Sequence, residues 1–184
     1  MIDAEIDALY SDAESLLVDE STTDDPDKKR SLVLDALSKA RDLIQRCPDD
    51  PDFHHLLGVA WYHHPDESPE RSVSIRNSLS HALSLDPSHQ FANQYLGYIN
   101  LDEADYETAL KYFRNTDHEF FISTGQKWRS LKAIELGFVC ELRLGRPIDS
   151  VAFEEVEAFT SFEESVKEIV AFIAIVMASY ITDS

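Results

Sequence analysis

Glycine and proline are scarce in this chain. There are 5 and 7 of them in 184 residues, gathered between periodic segments rather than inside them. That distribution argues against a protein of many short strands and turns and favours long helices. Cysteine is nearly absent too. Cys47 and Cys140 stand far apart, each in an apolar helical context, which fits small buried hydrophobes in a reducing compartment and not a disulfide framework. Basic residues are outnumbered, 16 against 35 acidic, for a net charge of −19. Such a chain repels phosphate backbones and anionic lipid, so no nucleic-acid partner is expected. A basic protein partner is favoured, with plain solubility as the competing explanation of the charge. The start, Met1-Ile2-Asp3-Ala4-Glu5, has neither the basic nor the apolar character of a secretory or transit signal, and the expected location is cytoplasmic. The longest uncharged apolar run, residues 169–181, is thirteen residues, short of the ~20 needed to span a bilayer.

Motifs that carry chemistry are missing as well. There is no HExxH, phosphate-cradling glycine loop, CxxC pair or nucleophile elbow. Two histidine doublets, His54-His55 and His63-His64, invite a metal reading beside Asp66 and Glu67. Side chains within a doublet diverge by about 100° on a helix. His54 and His63 are nine residues apart, or roughly 13.5 Å along a helix axis, too far for one ion. The expectation is therefore a non-catalytic protein with no metal and no cofactor.

What the chain does have is helical periodicity and enough apolar residues, 43%, to bury a core. A chain near this size hides roughly 70% of its unfolded surface. Apolar residues recur at helical spacing over 2–20, 28–47, 52–63, the stretch opened by Ser68-Pro69 and closed by Asp86-Pro87, 89–102 and 105–115. Ser68 reads as an N-cap with Pro69 at the first helical position. Residues 116–125 are irregular, and Phe120-Phe121-Ile122 within them would pin a loop or short helix to the core. A long helix over 126–144 stops at Gly145-Arg146-Pro147. A weaker helix covers 149–160, and Ser161 with Glu164 forms a capping box into a last helix over 162–181.

The spacing of Leu96-Gly97, Tyr106, Ala109-Leu110 and Phe113, after the Asp86-Pro87 turn, resembles the tetratricopeptide repeat. Leu57-Gly58 with Ala82, Leu83, Asp86 and Pro87 resembles a second unit. Ala36, Ala40, Leu43 and Pro48 resemble the end of an earlier one, and Leu136-Gly137 with Gly145 the start of a later one. Asn93 and Asn100 stand where the family often has Trp and Tyr. The resemblance implies an all-α fold: antiparallel helical hairpins stacked in a short right-handed solenoid, with small residues such as Gly97 and Ala109 where paired helices cross. A helical bundle with chance Leu-Gly pairs is the alternative. The expected layout is one domain over 1–184. It comprises an N-terminal pair (2–47), the two best units (52–115), a degenerate unit (126–160) and a capping helix (162–181).

The resemblance further implies a concave face lined by the first helix of each hairpin: His55, Val59 and Tyr62; Phe91, Gln94, Tyr98 and Leu101; Leu131, Ile134 and Phe138. Such a face suits an amphipathic helix or extended peptide. The apolar segment 169–181 must itself be covered. It either fills and closes the superhelix or packs on a second copy, giving a homodimer. Residues 111–146 hold seven bases and four acids. Lys111 with Arg114, and Arg129 with Lys132, lie one turn apart and could form a basic docking patch, or pair with the chain's own acidic ends. Two functions follow. One is a tetratricopeptide-like adaptor that holds a peptide or protein. The other is a small acidic inhibitor of the immunity or antitoxin type, which would neutralise a basic toxin by electrostatic docking.

Overall fold

The computed structural model describes residues 4–65 and 68–146. The expected helices over 149–160 and 162–181, and with them the closing or dimerising role of 169–181, lie outside the described residues. Within those residues the protein is all-helical, with eight helices and no strand: α1 (Ala4–Thr22), α2 (Pro26–Arg46), α3 (Pro51–Tyr62), α4 (Pro69–Leu85), α5 (Gln90–Asp102), α6 (Tyr106–Arg114), α7 (His118–Ser123) and α8 (Lys127–Arg143). No helix among the described residues is long and apolar enough to cross a membrane.

Proline does more here than interrupt helices. Pro26, Pro51 and Pro69 each open the helix that follows. Their fixed φ suits the first turn, where the missing N–H would have had no intrahelical partner. Asp25 accepts from the Asp27 and Lys28 N–H groups, and Asp50 from Asp52. Asp105 and Asp117 cap α6 and α7 in the same way, through the Thr108 and Phe120 N–H groups. Ser68 occupies the N-cap of α4, although its side chain makes no capping hydrogen bond. At the other ends, Gly125 and Gly145 take the left-handed φ of +73° and +66° that lets α7 and α8 stop in a tight reversal.

The chain divides into two compact units, Met1–Glu103 and Ala104–Ser184. The division falls in the turn between α5 and α6, inside the Leu96–Phe113 signature, where Ala104 adopts a φ of +60° that an L side chain rarely takes.

In the first unit α1 packs on α2, α2 on α3, α3 on α4 and α4 on α5, while α3 also touches α1 and α5. Cross-links set the directions. Asp12–Lys39 and Glu5–Arg46 make α1 and α2 antiparallel. Tyr10–Phe53 and Glu20–His63 make α1 and α3 parallel, and Asp52–His89 and Tyr62–Asp102 do the same for α3 and α5. So α1, α3 and α5 form one parallel row, with α2 and α4 as their antiparallel mates. The core is built of Ala13, Val33, Ala36, Leu37, Ala40, Leu43, Phe53, Leu56 and Ala60, small residues alternating with large so that the helices approach closely. At Gly58 α3 and α4 approach closely, since a Cβ there would lie 2.6 Å from Leu79 Cδ2. In the second unit α6 and α7 both pack on α8. Arg114–Glu141 and Arg146–Glu107 run α6 antiparallel to α8 around buried Phe113, Phe121 and Phe138.

Candidate protein-binding face

Seven of the ten expected groove residues fall on α3 and α5 of the first unit, and the parallel row places those helices side by side. Rings interlock across the seam. His55 lies 4.9 Å from His89, 5.7 Å from Phe91 and 5.8 Å from Tyr95, between ring centroids. Tyr62 is 5.5 Å from Tyr95 and 6.4 Å from Tyr98, and Tyr95 is 5.4 Å from Tyr98. Tyr62–Tyr95 and Tyr95–Tyr98 meet at 74° and 75°, edge against face, the favourable quadrupole arrangement, while the other four pairs are tilted. His55, Tyr62, Phe91, Tyr98 and Leu101 are half-buried. Val59 and Gln94, expected to line an open face, are instead buried at 7% and 1% exposure. Leu131, Ile134 and Phe138 belong to α8 of the second unit, and Phe138 is part of that unit's core.

Carboxylates close both ends of the ring strip. At the upper end His89 is the N-cap of α5. Its Nδ1 accepts from the Ala92 N–H at 3.0 Å, which assigns the ring proton to Nε2, and Nε2–H donates to Asp52 Oδ1 at 3.0 Å. That hydrogen bond, opposed by partial desolvation, holds the Asp52 carboxyl below the usual carboxylate range. At the lower end the Tyr62 hydroxyl donates to Asp102 Oδ2 at 2.9 Å. Burial, and then the negative partner, raise the Tyr62 phenol well above its ordinary value.

The sign of the Asp52 effect fixes a pH dependence. A carboxyl with a lowered folded-state pKa stabilises the fold above its unfolded value near 3.9, and that contribution is lost as pH falls through the folded value. Asp52→Asn is expected to cost about 0.5–1 kcal/mol at pH 7, solvent screening reducing what a buried charged hydrogen bond would give. The difference from the parent chain should shrink as pH falls below the unfolded value and close once Asp52 is protonated in the folded state too. Urea unfolding of both proteins across pH 2.5–7 checks this; a constant offset across the range would remove the ionised Asp52–His89 link from the account.

Buried Asn100 completes the first unit's polar network. It donates to the Leu96 carbonyl at 2.6 Å and accepts from Arg76 Nη1 at 3.0 Å; Arg76 also pairs with Glu103. Asn100, one of the two asparagines that differ from the resembled repeat, is thus a hydrogen-bonded strut between α4 and α5.

The basic patch residues fall in the second unit as two separate pairs: Lys111 and Arg114 on α6, level with Glu141 near the end of α8, and Arg129 and Lys132 near the start of α8, roughly 18 Å away along its axis. Three of them carry local partners. Arg114 pairs with buried Glu141, and Lys132 with Glu135 at 2.9 Å. Arg129 donates to Gln126 Oε1 at 2.8 Å and lies 4.6 Å over the exposed Trp128 ring. Lys111 is exposed.

The histidine doublets are divided among separate tasks. His54 Nε2 bonds the Pro48 carbonyl, and its ring meets His81 edge-on at 4.2 Å. His63 pairs with Glu20, and His64 stacks near Trp61. Among the described residues no three His, Cys, Asp or Glu side chains converge on a point where a metal could sit. His118 Nδ1 lies 2.6 Å from Ser130 Oγ, the spacing of a nucleophile and its base, but Ser130 has no exposed surface and the pair serves to tie α7 to α8. Burial raises the Cys140 thiol to about 11, so little of it is thiolate near neutrality.

Sequence reasoning missed His89, Tyr95 and Asp102. Tyr95 was within reach, being three residues before Tyr98 on one helix. His89 and Asp102 were not, since their roles depend on partners in another hairpin. No protein-family model matches the chain, and no curated protein matches it.

Proposed function

We propose that the chain is a non-catalytic, tetratricopeptide-like protein-binding module whose α3–α5 face holds a peptide or protein partner. The observation that carries this reading is the parallel row α1–α3–α5 with a half-buried strip of rings along its α3–α5 seam. The close crossing at Gly58 and the run of fully buried alanines support a stacked-hairpin, solenoid-like arrangement. Rings with apolar faces and polar edges are the residue types that anchor protein interfaces at low entropic cost.

The test is site-specific photo-crosslinking in the native cell. A benzoylphenylalanine at Tyr98 should capture a defined partner that the same probe at Ser80, exposed on α4, does not. Equal capture at both positions, or none at Tyr98, would end this reading. The acidic-inhibitor reading draws on a different observation, the exposed carboxylates Glu5, Asp7, Asp12, Glu14 and Asp19 along α1. It requires that any complex form fast and weaken steeply with salt, with cross-links from α1 rather than from Tyr98.

A further inference from the structure

The α3–α5 face has a polarity of its own, and it specifies the chemistry of the partner. Resting on the binding-module reading above, we infer that this face takes an extended peptide with two cationic side chains flanking an apolar middle. The first unit holds 21 acidic and 8 basic residues, so cations are drawn to it over the whole approach. At the face itself the charge is placed, not spread. Asp52 stands at the start of α3, 61% exposed and held in the ionised state by His89. Asp102 stands at the end of α5, exposed, and fixed by the Tyr62 hydroxyl. Each carboxylate is oriented by a neutral donor, so neither is neutralised by its partner.

Between them lie the rings of His55, Tyr62, Phe91 and Tyr98. Their π faces attract Lys and Arg side chains as well as apolar ones. The Arg71 guanidinium, hydrogen-bonded to the Trp61 and Tyr62 carbonyls, lies 5.8 Å from the Tyr62 ring centroid. The spacing is set by α3. Asp52 and Tyr62 are ten residues apart, a rise of about 15 Å, and an extended peptide covers that distance in about five residues. The favoured ligand therefore carries Lys or Arg at positions about five apart with apolar side chains between.

The experiment is a 15N-detected NMR titration of the full chain with three end-blocked peptides: Ser-Lys-Val-Pro-Leu-Val-Lys-Ser, the same sequence with Gln for both Lys, and the same with Glu. The Lys peptide should shift amides of α3 and α5. Its affinity should fall about tenfold in Asp102→Asn and further as NaCl rises from about 50 to 500 mM. Tyr98→Ser, which leaves both carboxylates in place, should also weaken it. The Glu peptide should shift nothing on this face. Equal binding by the Gln peptide would overturn the inference, as would Lys-peptide shifts confined to α1, or α3–α5 shifts that follow protein concentration alone because a second copy covers the face. If the Lys peptide leaves α3 and α5 untouched while the Tyr98 cross-link still captures a partner, the cationic assignment fails and the binding-module reading stands. If both are negative, both fail.

Discussion

Gly58→Val is expected to destabilise the protein by about 2–3 kcal/mol, the upper part of the range for overpacking a closed core. A Cβ at Gly58 would sit 2.6 Å from Leu79 Cδ2 and 2.7 Å from Leu79 Cγ, and Leu79 has no exposed surface into which to retreat. Helix propensity works the other way, since Gly is the poorest ordinary helix former by about 1 kcal/mol relative to Ala. The steric term wins because valine adds two methyl groups beyond the clashing Cβ. Leu79→Ala alone should cost about 2–5 kcal/mol by leaving a cavity. In the double variant the new valine enters that cavity, so the two costs should fall short of additive by at least about 1 kcal/mol. Urea unfolding of the four proteins measures the coupling. Additive costs would mean that α3 and α4 do not touch at this pair.

Phe121→Ala carries the other large effect, about 3–5 kcal/mol. The helix it anchors, α7, is six residues long and Phe121 is its one buried side chain, too short to persist without tertiary packing. Loss of that ring should release α7 from α8 and raise hydrogen exchange along His118–Ser123. Ile122, next in sequence but 44% exposed, is the control. Ile122→Ala should stay within about 0.5 kcal/mol, as surface substitutions do. Comparable losses at the two positions would show that α7 packs differently.

This pair of neighbours also shows where sequence reasoning stopped. Phe120-Phe121-Ile122 reads as three equivalent apolar residues, and period alone says that some of them face inward. Which one does depends on the direction from which α8 approaches. The helices themselves were legible. Their stops at Asp86-Pro87 and Gly145, and the start at Ser68-Pro69, lie within a residue or two of the expected positions because φ restriction and capping act over one turn. At Pro26 and Pro51 the expectation placed the helix after the proline, whereas the proline belongs to its first turn. The proposed binding face was half legible. Its α3 and α5 residues follow from phase along each helix, but the same phase assigned Val59 and Gln94 to an open surface, and they are buried because α3 and α5 pack closely.

By itself the sequence determined that the described chain is helical, where most of its helices begin and end, and that its charge excess is acidic. Each of these rests on interactions within a few residues or on composition. Only the tertiary structure decided that Asp52 meets His89 across 37 residues and Tyr62 meets Asp102 across 40. Those contacts depend on the parallel placement of α3 and α5, set by the summed packing of small and large side chains over the whole unit. No local pattern encodes that sum.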